Sequence, residues 1–165
     1  MGKEYSREEA LKLAIQAEKD SMDFYRRAGT VTRNERAKKV FDLLAGEEID
    51  HLKSFFDHYK GKEFGDLNSF MLTPPNPKNQ AYAALEKAID EETHEQKALE
   101  IALKEEKSCI DHYSLLAKDM VDPLVRNVFE RVVKETQKHY DLIEDEYMHV
   151  MKMVDKSDQD IYVRE

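Results

Sequence analysis

Glu48 and His51 stand three residues apart in the stretch Leu44-Ala45-Gly46-Glu47-Glu48-Ile49-Asp50-His51-Leu52. On a helix, positions i and i+3 share a face, and here that face also carries Val40, Phe41, Leu44, Leu52 and Phe55. A carboxylate and an imidazole are thereby turned toward a core, where a charge has to be paired, protonated or bound to a metal. Glu-x-x-His on facing helices is also a unit with which helical bundles hold pairs of metal ions. The same quartet is common on helix surfaces, so its meaning depends on what the other elements bring to it.

Four long helices and a linker are expected. Ser6 and Glu9 form a capping box for a first helix over about 6–29, with the stripe Leu11, Ala14, Ile15, Glu18, Met22, Tyr25 and Ala28, and Gly29 reads as its stop. Asn34 caps a second helix, about 34–60, that carries the opening quartet and ends at Gly61. Residues 61–92 form a crossover, broken by Thr73-Pro74-Pro75-Asn76-Pro77 and followed by a short helix from about Asn79 to Glu91. A third long helix, about 94–119, has Glu106 in its apolar stripe. Asp122-Pro123 opens a fourth, about 122–153, with Thr136 and His139 facing inward. The polar tail from Asp155 onward is expected to fray. His94 and His112 fall at a helix start or off the stripe and receive no role.

Composition narrows the function. The chain has 165 residues, 37% charged and 41% hydrophobic, with five Gly and four Pro, as suits one domain of long amphipathic helices. A net charge of -9 disfavours nucleic acid and anionic membranes. No apolar run approaches the roughly 18 residues of a membrane span, and the first residues do not open a secretory signal, so a cytoplasmic location is expected. Cys109 is the single cysteine, so there is no disulfide framework within the chain and no Cys-x-x-Cys metal site; any metal must be held by His and carboxylates.

An internal repeat links these observations. Shifting the sequence by 88 residues lays Ala98, Leu99, Ala102, Glu106, Lys107, Asp111 and Tyr113 on Ala10, Leu11, Ala14, Glu18, Lys19, Asp23 and Tyr25, seven identities in 16 positions. The same shift lays Asp122 on Asn34, Val128 on Val40, Phe129 on Phe41, Glu135 on Glu47 and His139 on His51. Two copied hairpins joined by a long crossover make a four-helix bundle with an approximate two-fold axis. That axis brings Glu18, Glu48 and His51 to face Glu106 and His139. Carboxylates so close in an apolar core repel strongly, and divalent metal is the simplest neutraliser.

Glu18 followed by Tyr25, Glu106 followed by Tyr113, and Glu48-x-x-His51 on the next helix resemble the ferritin-like di-iron carboxylate proteins, and more closely the rubrerythrin group, over roughly residues 6 to 153. The resemblance implies an all-α, ferritin-like four-helix bundle holding two iron ions, or a mixed iron/zinc or manganese pair. Glu18 and Glu106 would be terminal ligands, Glu48 a bridge, and His51 and His139 one on each metal. It implies a cytoplasmic oxidoreductase of oxidative stress that reduces hydrogen peroxide, or a ferroxidase using peroxide or dioxygen, resetting with a separate electron-donor protein and pairing as a homodimer.

Three departures qualify that pattern. Thr136 stands where the second Glu-x-x-His should begin, and Glu135, four residues before His139, is a candidate replacement ligand. Cys109 replaces the additional glutamate of the group, either as a small core residue or as a thiolate ligand. A C-terminal rubredoxin-like domain is absent from the sequence. Tyr25 and Tyr113 are expected to hydrogen-bond a ligand carboxylate or a helix carbonyl, with redox activity as the alternative. The metal nearest Glu48 and His51 is expected to be the better held. The competing reading is a non-catalytic helical scaffold or binding protein with a degenerate or mononuclear site.

Overall fold

A computed structural model describes residues 5–163 of the chain, with side chains described as far as residue 152. These residues form α1 (Arg7–Val31), α2 (Glu35–Phe56), α3 (Leu67–Met71), α4 (Gln80–Ala88), α5 (His94–Asp119) and α6 (Pro123–Val163), with no strand among them. The architecture is an all-α bundle: hairpin α1–α2, a crossover holding two short helices, and hairpin α5–α6. No helix among the described residues is long and apolar enough to cross a membrane.

Local chemistry sets most helix starts. The Ser6 hydroxyl accepts from the Glu9 N–H at 3.2 Å, Asn34 from Ala37 at 3.0 Å, and Asn79 from Tyr82 at 3.0 Å. Asp122 accepts from Leu124 and Val125 at 3.0 and 3.3 Å, with Pro123 occupying the first helical position. Each such bond satisfies a backbone donor that the helix itself leaves open.

Helix ends differ from expectation. Gly29 does not stop α1, which continues to Val31 and is capped at Thr32. Instead Gly29 lies against α2, where an added Cβ would meet the Asp42 carboxylate and sit 3.6 Å from the Cβ of Phe41. α2 ends at Phe56, where the N–H groups of His58 and Tyr59 turn to carbonyls three residues back and tighten the last turn. α6 does not stop at Met153 but runs to Val163, so the tail as far as Val163 continues the helix.

The core is built in two apolar layers. One gathers Leu11, Ile15, Phe55, Tyr113 and Phe129; the other gathers Phe24, Phe41, Leu44, Leu99 and Ile143. Burying each large side chain stabilises the bundle by about 1.5–3 kcal/mol. Along every long helix the residues between these layers are the polar ones: Glu18 on α1, Glu48 and His51 on α2, Glu106 on α5, His139 on α6.

The crossover is anchored by a group that the apolar pattern does not reveal. Lys19 and Asp23 form a buried ion pair on α1, and the Lys19 ammonium also donates to the Thr73 carbonyl at 3.1 Å. Their repeat partners, Lys107 and Asp111, are exposed on α5. One copied motif thus holds the linker, and the other faces solvent.

Candidate metal centre

Each long helix delivers its polar residue to one level of the bundle. Glu18, Glu48, His51, Glu106 and His139 are all at most 4% exposed. Two groups form there: Glu18, Glu48 and His51 present ligand atoms that lie within 4.8 Å of one another, and so do Glu48, Glu106 and His139. Glu48 is common to both. Its Oε1 lies 3.3 Å from Nδ1 of His139, and its Oε2 lies 3.8 Å from Nδ1 of His51. Each position has two carboxylates and one imidazole, and Glu48 lies somewhat closer to the histidine of the second hairpin than to that of its own.

Both histidines are oriented from outside. Nε2 of His51 pairs with Glu135 Oε2 at 2.6 Å, and Nε2 of His139 pairs with Glu47 Oε2 at 2.7 Å. A carboxylate on the outer nitrogen holds a proton there and keeps Nδ1 pointing inward, where a metal would take the place of its proton. The rings stack with centroids 5.4 Å apart. Glu135 is thus not brought into either ligand group. Adjacent helix positions are rotated by about 100°, and residue 135 reaches across to the back of His51. Its repeat partner Glu47, to which the sequence analysis gave no role, does the same for His139; the identity of the two under the 88-residue shift was the available signal.

The tyrosines also cross between hairpins. Tyr25 on α1 donates to Glu106 Oε1 at 2.5 Å, and Tyr113 on α5 donates to Glu18 Oε1 at 2.9 Å and lies 3.3 Å from the Ala14 carbonyl. Burial, then the adjoining Glu106 or Glu18 charge, pushes both phenols well above their ordinary value, so they remain donors. At the gap in the repeat, the Thr136 hydroxyl is spent on the Val132 carbonyl at 2.7 Å. Cys109 stands beside it; burial, then Glu18 and Glu106, push its thiol well up and keep it protonated.

The electrostatics are those of groups made to share positive charge. Burial, then the charge of Glu48, raises Glu18 well above the carboxylate range and Glu106 to about 8. Burial would also raise Glu48, but the adjoining Glu18 carboxyl and the His139 and His51 imidazoles beside it hold it well below that range. Burial alone would lower the histidines. Glu18 and Glu48 nonetheless raise His51 to about 11, and Glu48 and Glu106 raise His139 to about 9. In the metal-free protein, protons do the balancing.

The donors fit a pair of divalent cations. Glu18 Oε2, His51 Nδ1 and His139 Nδ1 are buried with no hydrogen-bond partner, and all three belong to the two ligand groups. Buried polar atoms without partners are rare, and three converging on one level call for a shared ligand. Three carboxylates and two imidazoles suit iron or manganese, whereas a tetrahedral thiolate set is not available.

A family model described as Rubrerythrin matches residues 9–147. No curated protein and no solved structure matches the chain.

Proposed function

The chain belongs to the rubrerythrin family, and on that premise we propose that it is a non-haem di-iron oxidoreductase that reduces hydrogen peroxide or oxidises ferrous iron. The observation that carries this reading is the sharing of Glu48 by two ligand groups whose histidine Nδ1 atoms both face inward. In the proposed assignment Glu18 and His51 would serve one ion, Glu106 and His139 the other, and Glu48, common to both groups, would serve both. A bound pair of redox-active ions supplies the electrons that an oxidant takes up, or accepts those of a ferrous substrate.

The remaining work belongs to the chain. Glu135 and Glu47 fix the imidazole orientation, and Tyr25 and Tyr113 hold the terminal carboxylates in place. The apolar layers above and below exclude bulk water and strengthen every interaction between them. Thr136, unlike a glutamate, offers no second bridging carboxylate. A separate electron-donor protein and a homodimer belong to the same proposal.

Thr136 also supports a second reading, a site that holds one ion and turns nothing over. Stoichiometry separates the two. Adding ferrous iron aerobically to metal-free protein is expected to give two irons per chain, one for each ligand group, with near-ultraviolet ferric absorption. One ion per chain, or none, would sink the di-iron assignment.

A further inference from the structure

A cleft of about 180 Å³ opens between α1 and α5 beneath the start of α4. Its walls are repeat pairs: Asp20 with Ser108, Ser21 with Cys109, and Tyr25 with Tyr113. A cavity lined by both members of each pair lies on the approximate two-fold axis of the duplication, and that same axis passes through Glu48, which both ligand groups share. The floor of the cleft is therefore the wall of the metal centre. Tyr25 and Tyr113 line it while their hydroxyls touch Glu106 and Glu18, and half-buried Cys109, next to Thr136, lines it as well.

The opposite exit of the axis is different in kind. The groove between α2 and α6 carries Glu47, Asp50 and Glu135 with Arg131, and Glu47 and Glu135 are tied to the histidines. An oxidant approaching from that side would have to displace the carboxylates that orient the ligands. On the α1–α5 side Ser21, Ser108 and Cys109 line the cleft together with the Asp20 and Glu105 carboxylates; none of these orients a ligand, and the carboxylates disfavour an anion over an uncharged molecule.

Resting on the di-iron reading above, we propose that the cleft between α1 and α5 is the binding pocket and way in for a small uncharged oxidant of the size of hydrogen peroxide. Ser21 and Ser108 line that path from opposite helices without touching a ligand.

The single cysteine makes the path measurable without turnover. In metal-free protein, methyl methanethiosulfonate is expected to label Cys109, and Ser108→Phe or Ser21→Phe to slow the labelling at least tenfold, while Ser108→Ala leaves it unchanged. Two blocking positions on different helices guard against one variant misfolding, and circular dichroism checks both. In iron-loaded protein the Phe variants are expected to keep their metal content and to be oxidised by hydrogen peroxide at least tenfold more slowly. Absence of labelling in the unsubstituted chain overturns the proposal, as does slowed labelling with undiminished oxidation. If the unsubstituted chain takes up no iron, the di-iron reading fails on that measurement, and the proposal falls with it.

Discussion

His51 and Glu135 belong to different hairpins, yet Glu135 Oε2 lies 2.6 Å from the outer ring nitrogen of His51. The reciprocal pair, His139 and Glu47, is 2.7 Å apart. Each hairpin supplies the carboxylate that aims the other's imidazole, so the centre depends on contacts that neither hairpin makes alone.

Removing either outer carboxylate should weaken the metal without removing a ligand. Glu135→Gln and Glu47→Gln are each expected to lower affinity roughly 10–100-fold, measured by competition with a chromophoric chelator. Glu135→Gln matching Glu18→Gln in severity would mean that Glu135 is a ligand after all.

The terminal carboxylates should be dispensable for folding. Burial and Glu48 keep Glu18 and Glu106 inclined to hold a proton in metal-free protein, and Gln has nearly the shape of a neutral carboxyl. The double variant Glu18→Gln/Glu106→Gln is expected to melt within about 2–4 °C of the metal-free parent, equivalent to about 1 kcal/mol, and to lose metal binding. A much larger fall on differential scanning calorimetry would show that these groups serve the fold instead.

Stability without metal should decline as pH rises. His51 and His139 are raised from 6.5 to about 11 and about 9, and Glu106 from 4.5 to about 8. Above those ordinary values the folded chain binds more protons than the unfolded one. These stabilising contributions are therefore complete at low pH and are lost as pH passes through about 8, 9 and 11. Glu48 has the opposite sign: its depressed value contributes above the carboxylate range and is lost in acid. Melting of chelator-treated protein is expected to fall between pH 6.5 and 9. Metal must displace the same protons, so its affinity rises over that interval, with protons released in an unbuffered titration.

Restoring the glutamate that the repeat lacks should move affinity and folding in opposite directions. Thr136→Glu adds a carboxylate beside Glu48 in a buried place, and is expected to tighten metal binding while lowering metal-free stability by about 1–3 kcal/mol. Unchanged affinity would indicate that the centre cannot accept a second bridge.

The crossover anchor can be tested separately. Lys19→Met leaves Asp23 buried and unpaired and is expected to cost about 3–5 kcal/mol, whereas Lys19→Met/Asp23→Leu is expected to recover most of that loss. Urea unfolding checks both; equal losses in the single and double variants would argue that the pair's link to Thr73 matters more than its charge.

Much of the molecule is legible in the chain because duplication writes the same pattern twice. The stripes through Leu11 and Leu99, and through Phe41 and Phe129, yield the all-helical bundle, and Glu18, Glu48, His51, Glu106 and His139 stand out as polar interruptions of those stripes. What crosses between hairpins is harder to read. Glu47 and Glu135 look like surface residues along their own helices, and only the register of α2 against α6 reveals that each backs the other's histidine. Gly29 looks like a stop because glycine often ends helices, but here it lies within α1 and leaves room for the Asp42 carboxylate of α2. Lys19 and Asp23 match Lys107 and Asp111 in sequence and differ only in what the crossover covers.

The exchange of Tyr25, Tyr113, Glu47 and Glu135 across the bundle has a mechanical consequence. Packing is most extensive within each hairpin and thinner between the two, so the ligand level is where the halves are fastened. Ions bound there would act as a clasp, and withdrawing them should loosen one hairpin against the other before either comes apart. Amide hydrogen exchange of metal-free and iron-loaded protein would then differ most along the seam between α2 and α6, making metal loss a structural signal as well as a chemical one.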